Sequence, residues 1–99
     1  MRVGASLRDV DGASRAVLAD AGHPLPHGLG HGTGLDIHED PRLAPASAHV
    51  LADGHVVTVE PGIYIPGWGG VRIEDQCVME NGRLRPISTA PKLDLQFVR

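Results

Sequence analysis

Two glutamates on either side of a predicted chain reversal are the clearest indication of chemistry in this sequence. Glu60 ends an apolar run of β-branched residues, and Glu74 follows a glycine-rich turn around Gly67. If the chain reverses about Gly67, an antiparallel ladder sets Glu60 opposite Glu74. Like charges that face each other across a sheet destabilise it. A shared proton, an arginine or a divalent cation must therefore offset the repulsion.

Arg72 offers an alternative to a cation. It lies two residues before Glu74 and so on the same face of its strand, with Val71 and Ile73 on the other face. Surface ion pairs of this kind are common and stabilise little. The two glutamates alone leave the choice open between a solvated strand end and a metal site.

Three histidines shift that choice towards a metal. His27, His31 and His38 stand among glycines that allow close approach of the backbone. A lone histidine is more often structural than a ligand, but neutral imidazole is the commonest nitrogen ligand for a transition metal. One imidazole with two carboxylates forms a mixed oxygen and nitrogen site that suits Mn, Fe, Co or Zn. The other histidines lack such neighbours, and we interpret them as surface residues: His23, His49 and His55.

A helix and a series of extended segments must position these side chains. Apolar residues recur at three and four positions from Leu7 to Ala21, which predicts an amphipathic helix. Ser6 is the predicted N-cap, in a capping-box pattern with Asp9, and Gly22 is predicted to follow the helix end.

The remainder of the chain predicts strands and hairpins. Residues 27–41 are too rich in glycine for a helix and predict an irregular strand, a turn and a second extended piece, and Leu51 anchors a surface connection. Strands are predicted over 56–60, 71–79, 84–87 and 91–99, with an Asn81-Gly82 hairpin turn. The expected fold class is α/β in the α+β sense: one amphipathic helix followed by antiparallel strands and hairpins.

Composition narrows the possible functions. A chain of 99 residues allows one small domain, and a net charge of -3 gives no basic surface, so we expect no nucleic-acid partner. No apolar run approaches the roughly 20 residues that span a bilayer, and the first residues do not resemble a signal peptide, so we expect a cytoplasmic protein without a membrane partner. Cys77 lies in an apolar context and predicts a buried, unreactive thiol.

The segments around these residues resemble a known metallopeptidase family, which contains Xaa-Pro aminopeptidase, Xaa-Pro dipeptidase (prolidase) and methionine aminopeptidase. The resemblance extends over about residues 4–87 and is closer to the proline-directed members. Three motifs carry it: His27-Gly-Leu-Gly-His31-Gly-Thr-Gly-Leu-Asp-Ile-His38-Glu-Asp-Pro41, Val59-Glu60-Pro-Gly-Ile-Tyr64 and Gly70-Val-Arg72-Ile-Glu74-Asp75.

The resemblance implies a pita-bread fold with two divalent metal ions, manganese being expected and Co, Zn or Fe being alternatives. It implies that His31, Glu60 and Glu74 are metal ligands, with Glu74 bridging both ions and Glu60 also moving the proton of the attacking water. His27 and His38 would line the substrate site and stabilise the tetrahedral intermediate. The implied reaction is hydrolysis beside proline, in a peptide substrate with proline at the second position.

The sequence departs from the family pattern near its start. The resemblance implies Arg72 as a partner that orients carboxylates and two further aspartate ligands on an upstream strand, which neither Asp9 nor Asp11 matches. We expect residues 1–99 to be the carboxyl-terminal part of one catalytic domain, weakly active or inactive alone. An unfinished sheet edge makes a homo-oligomer possible. Two alternatives stay open: a non-catalytic pita-bread module that binds a partner, and a creatinase-like hydrolase without metal.

Overall fold

A computed structural model describes residues 4–92, which form one helix and seven strands. The predicted class, one helix followed by antiparallel strands, is confirmed. The element bounds are α1 (Leu7–Asp20), β1 (Gly30–Gly32), β2 (Glu39–Leu43), β3 (Val56–Val59), β4 (Gly62–Ile65), β5 (Gly69–Arg72), β6 (Asp75–Glu80) and β7 (Arg83–Pro86). Strands β2, β1, β3, β6 and β7 form a five-stranded sheet in that order, and β4 and β5 form a separate two-stranded sheet.

Helix α1 has nearly the predicted bounds. Gly22 follows it with a φ of 85°, a conformation that glycine adopts at little cost. The predicted capping box is wrong, because within residues 4–92 the Ser6 side chain makes no capping hydrogen bond. Backbone pairing holds the helix entry instead: Ser6 forms an antiparallel bridge with Val50, and the Leu7 amide donates to the His49 carbonyl.

The hydrophobic core lies where α1 meets the larger sheet. Leu51 is buried, as predicted for an anchor of its surface connection. Cys77 is also buried, and desolvation, followed by the charge of Asp75, raises the pKa of its thiol. The cluster of buried core residues comprises Leu7, Leu29, Leu43, Leu51, Val57, Cys77 and Met79.

The returning strand predicted over 71–79 is interrupted in the structure, and the outgoing strand predicted over 56–60 ends one residue early, at Val59. The outgoing chain leaves the sheet after Val59, and the returning chain is interrupted between β5 and β6. Pro61 has no N–H to donate to a ladder, and the Glu60 amide donates to the Leu29 carbonyl at 2.7 Å. The chain therefore changes pairing partners where the two glutamates lie.

The register of the reversal is the predicted one on both sides of this interruption. Val59 pairs with Asp75 in the larger sheet, and Gly62 pairs with Arg72 in the smaller sheet. Glu60 follows Val59 and Glu74 precedes Asp75, so both glutamates lie next to this pair. They face one central gap between two ladders of the same register.

The second predicted reversal is confirmed. Asn81 and Gly82 have φ values of 53° and 77°, as a two-residue hairpin with positive φ at both positions requires. Glu80 pairs with Arg83 directly beside this turn. The last predicted strand, residues 91–99, lies almost wholly outside the described residues.

Candidate metal centre

His31 lies on β1, where glycines allow the chain to run close to its neighbour. A Cβ at Gly30 would lie 1.8 Å from the Thr58 carbonyl oxygen, so only glycine fits at that position. The close approach lets the His31 amide donate to the Thr58 hydroxyl at 3.1 Å. The backbone of β1 is thereby fixed against β3.

The hydrogen bonds of the His31 ring define its protonation pattern. Nδ1 lies 2.9 Å from the Gly32 carbonyl oxygen, which can only accept, so Nδ1 carries the proton. Nε2 of a neutral ring then presents a lone pair, and it lies 3.4 Å from Glu60 Oε2. Two acceptors face each other at this distance, and a proton or a cation between them would satisfy both.

Glu60 is held from two directions. Its amide is bonded to Leu29, and its Oε2 accepts a hydrogen bond from the Thr58 hydroxyl at 2.9 Å. Thr58 is 4% exposed, and its hydroxyl also accepts the bond from the His31 amide. One buried hydroxyl thus links the His31 backbone to the Glu60 carboxylate. Sequence reasoning missed Thr58, although its spacing of two from Glu60 placed both on one face of a strand.

Glu74 completes the cluster on the returning chain. Ligand atoms of His31, Glu60 and Glu74 all lie within 4.8 Å of one another, so the predicted proximity of the three is confirmed. Donors at about 2.0–2.2 Å from one ion lie at most about 4.4 Å apart. A shift of a few tenths of an ångström would close this set around a cation, so these residues fit a divalent metal.

Arg72 connects the cluster to a second group of polar residues. Its Nε lies 3.5 Å from Glu74 Oε2. Interaction with the Tyr64 hydroxyl, through hydrogen bonding and charge, and then the charge of Glu74 raise the pKa of the Arg72 guanidinium. The arginine therefore stays charged beside the carboxylate, as expected for a residue that orients it.

His27 forms the other end of this polar group. Its Nδ1 lies 2.6 Å from the Gly28 carbonyl oxygen, and its Nε2 lies 2.7 Å from the Tyr64 hydroxyl. Because the carbonyl can only accept, Nδ1 donates and the Tyr64 hydroxyl donates to Nε2. Tyr64 was not among the predicted site residues, because nothing in its spacing indicates contact with a histidine 37 positions away.

His38 is exposed and lies beside the predicted ligand His31, with ring centroids 4.3 Å apart. A cleft of about 560 Å³ is lined by residues that include His31, His38, Glu60, Arg72 and Glu74. A neighbouring recess is lined by His27 together with His31, His38 and Glu60. All six predicted site residues are thus brought to one side of the molecule.

The three histidines interpreted as surface residues do not line this cleft or the neighbouring recess. His49 is exposed, whereas His23 and His55 are half-buried. His55 accepts a hydrogen bond from the Ala52 amide at 3.2 Å, a local role at a turn.

In residues 4–92, no helix is both long and apolar enough to cross a bilayer.

Fold and cleft together define a candidate metalloenzyme of mixed helix and strand, with one imidazole and two carboxylates at its centre. Comparison with known families supports that class directly. The model of metallopeptidase family M24 matches residues 1–81, and the chain belongs to this family. Membership of a metallopeptidase family implies divalent metal ions.

Individual relatives agree with the family assignment. The chain is 44% identical over 93 residues to the Xaa-Pro dipeptidase of Pyrococcus furiosus, covering 91% of this chain and 27% of that protein. It is similar to a prolidase structure from the same organism, with a TM-score of 0.89, 38% identity and coverage of 92% of this chain and 28% of that one. It is also similar to an X-Pro aminopeptidase structure from Thermotoga maritima, with a TM-score of 0.86 and 34% identity over 91% of this chain and 26% of that one.

These likenesses confirm the expected pita-bread fold for the part that this chain contains. The chain spans about a quarter of the length of the curated relatives that it matches.

Proposed function

We propose that this chain belongs to a peptidase that hydrolyses the bond next to proline, an Xaa-Pro dipeptidase or aminopeptidase, with two divalent metal ions. One observation carries the proposal: one ring nitrogen of His31 and one carboxylate oxygen each of Glu60 and Glu74 lie within 4.8 Å of one another. The printed names of the relatives supply the substrate class.

In this proposal His31, Glu60 and Glu74 hold the metal. Bound divalent ions lower the pKa of water and polarise a peptide carbonyl, which is the chemistry that they supply to hydrolysis. Glu60 accepts the proton of the attacking water, and the hydrogen bond from Thr58 fixes the orientation of its carboxylate. Arg72, 3.5 Å from Glu74, orients that carboxylate.

The substrate side of the proposed site contains His27 and His38. His38 is exposed at the cleft beside His31 and is placed to donate a hydrogen bond to the oxygen of the scissile carbonyl as charge develops on it. His27 orients the peptide from the neighbouring recess, where its ring is fixed between Gly28 and Tyr64. The substrate is a peptide with proline at its second position.

We further propose that residues 1–99 are the carboxyl-terminal part of a catalytic domain whose other ligands lie in a different segment. Three donors hold an ion less firmly than a complete set, so the isolated chain is weakly active or inactive. Manganese is the proposed metal because the donors are hard oxygens with one imidazole, and Co, Zn or Fe suit the same set. Association into a homo-oligomer and a cytoplasmic location belong to the same proposal.

Calorimetric titration of Mn²⁺ and Co²⁺ into the chain, with an Xaa-Pro dipeptide assay alongside, tests these claims. Metal should bind to the parent, should fail to bind to His31→Ala and should bind normally to His49→Ala, a control at an exposed histidine away from the cleft. Equal binding by all three proteins would contradict the assigned centre. Strong turnover by the 99 residues alone would contradict their incompleteness and leave the activity standing.

A further inference from the structure

An ion pair on α1, between a buried carboxylate and a partly exposed arginine, braces the segment that carries His27. Asp11 is 1% exposed, and both of its carboxylate oxygens accept hydrogen bonds from Arg15, one turn along the helix. Acidic residues are almost never fully buried unless they are paired, and breaking a buried pair is costly. The residues that hydrogen-bond to this pair therefore show which part of the chain it holds in place.

The partners of this pair lie in the loop that precedes β1. Arg15 donates to the Leu25 carbonyl and, at 3.1 Å, to the His27 carbonyl. Asp11 Oδ1 accepts from the Leu29 amide at 2.9 Å. Three alternate residues of one segment are therefore fixed to the helix by one guanidinium and one carboxylate.

Two residues of this segment, Leu29 and His27, connect it to the candidate site. The Leu29 carbonyl accepts the hydrogen bond from the Glu60 amide, so Leu29 lies between the helix pair and a proposed ligand. The His27 ring reaches Tyr64 from a backbone whose carbonyl is held by Arg15. His31 is anchored separately, through its amide and Thr58.

We propose that Asp11 and Arg15 are positioning residues for His27, holding its backbone so that its ring points at the substrate recess. This inference rests on the proposed role of His27 at the substrate. It predicts that loss of Arg15 disturbs the His27 ring and leaves metal binding at His31, Glu60 and Glu74 nearly intact. If the ion pair only stabilised the fold, loss of Arg15 would lower the stability of the chain without a specific effect on the His27 ring.

The test uses the whole chain labelled with ¹⁵N-histidine and free of metal, at one fixed pH. Imidazole ¹⁵N shifts should be well separated for His27 in the parent, since one nitrogen donates and the other accepts. In Arg15→Met the two His27 shifts should move together as the tautomers average, with the His31 shifts unchanged. Arg8→Met, at an exposed arginine on the same helix, is the matched control and should match the parent.

One further variant covers the case in which Arg15→Met does not fold. If Arg15→Met fails to fold, Arg15→Lys decides, because lysine keeps the charge but lacks the planar fork that reaches several acceptors at once. Unchanged His27 shifts in a folded Arg15 variant, or equal changes in Arg8→Met, would overturn the proposal.

Calorimetry separates this inference from the proposed function. The Kd for Mn²⁺ should change less than about threefold in the Arg15 variants, compared with the 10- to 100-fold typical for partners of ligands. A tenfold loss or more would overturn the proposed selectivity for His27. If the parent itself bound no Mn²⁺, the proposed function would fail, while the His27 shifts would still decide whether the helix positions that ring.

Discussion

The hydrogen-bonded segments that carry His31 and Glu60 differ sharply from the loop that carries His38. His31 and Glu60 are 15% and 16% exposed at their side chains, and both are bonded to the buried Thr58. In the loop, Leu35 and Ile37 are 107% and 75% exposed. Local bonds such as that from the Gly34 amide to the Asp36 carbonyl hold its turn.

This difference separates two requirements of the proposed chemistry. A metal ligand set must be preorganised, because ligands that move lose affinity, and the hydrogen bonds of Thr58 to His31 and Glu60 satisfy that condition for two of the three ligands. A group that acts on substrates can lie on a loop, because loops on a rigid scaffold commonly carry the binding residues. We therefore expect large effects on metal binding from changes at the ligands and at Thr58, and small ones from changes at exposed loop residues such as Leu35.

The largest expected effect is in Glu74→Gln. Metal at a hundred times its Kd should stabilise the parent by about 2.7 kcal/mol, and this gain should disappear in the variant. Without metal the variant should be at least as stable as the parent, since one of two facing like charges is gone. Thermal unfolding with and without Mn²⁺ measures both. Glu80→Gln, at an exposed ion pair with Arg85, is the control and should keep the metal-dependent gain.

Next in size is the effect of Thr58→Val. The variant removes the acceptor of the His31 amide and the donor to Glu60. Stability should fall by about 1–3 kcal/mol, and Mn²⁺ affinity should fall by about 10- to 100-fold. Urea unfolding and calorimetry measure the two. Thr58→Ser keeps the hydroxyl and should restore most of the affinity, and no recovery there would contradict the assigned role.

The close approach of the two glutamates was readable from the sequence because it depends on local rules. A turn centred on Gly67 and strict alternation fix which residues face each other, and the Asn81-Gly82 hairpin follows from the same kind of rule. Strand β4 and the break between β5 and β6 were missed, because the returning strand was predicted as one piece over 71–79. The predicted register was still correct, because the two ladders on either side of the break have the same register.

The role of Asp11 was not readable from the sequence. An acidic residue near a helix amino end is ordinarily solvated and interacts with the helix dipole, and Arg15, four positions after Asp11, predicts no more than an ordinary ion pair along the helix. Its burial depends on the Leu29 amide, 18 positions away, which only the tertiary fold brings near. Tyr64 was missed for the same reason, because its partner His27 lies 37 positions away, and so was the hydrogen bond from the distant His31 amide to Thr58.

The loop should tolerate changes that the strands do not. Leu35→Ser should alter the free energy of unfolding by no more than about 0.5 kcal/mol, because a fully exposed side chain loses no burial. Mn²⁺ affinity should stay within threefold of the parent, roughly the scatter expected for a distant site. Calorimetry and urea unfolding check both, and a marked loss of either would show that the loop packs against the site. Leu51→Ser, at a buried core leucine, is the contrasting control.

The smallest effect at neutral pH concerns Cys77. Burial raises the pKa of this thiol, so the reactive thiolate is scarce in the folded chain. Alkylation by iodoacetamide should be slower in the folded chain than in urea. The folded chain keeps its proton longer than the unfolded one, so stability is unaffected below the ordinary thiol pKa and declines as the pH rises above it. Rapid labelling of the folded chain would contradict this burial.

The most direct test is anomalous diffraction at the manganese edge from crystals of the chain grown with Mn²⁺. The account predicts a peak about 2.0–2.2 Å from His31 Nε2 and from a carboxylate oxygen each of Glu60 and Glu74. A manganese peak bound elsewhere, with these three side chains in the positions described, would contradict the assignment of this cleft as the metal centre.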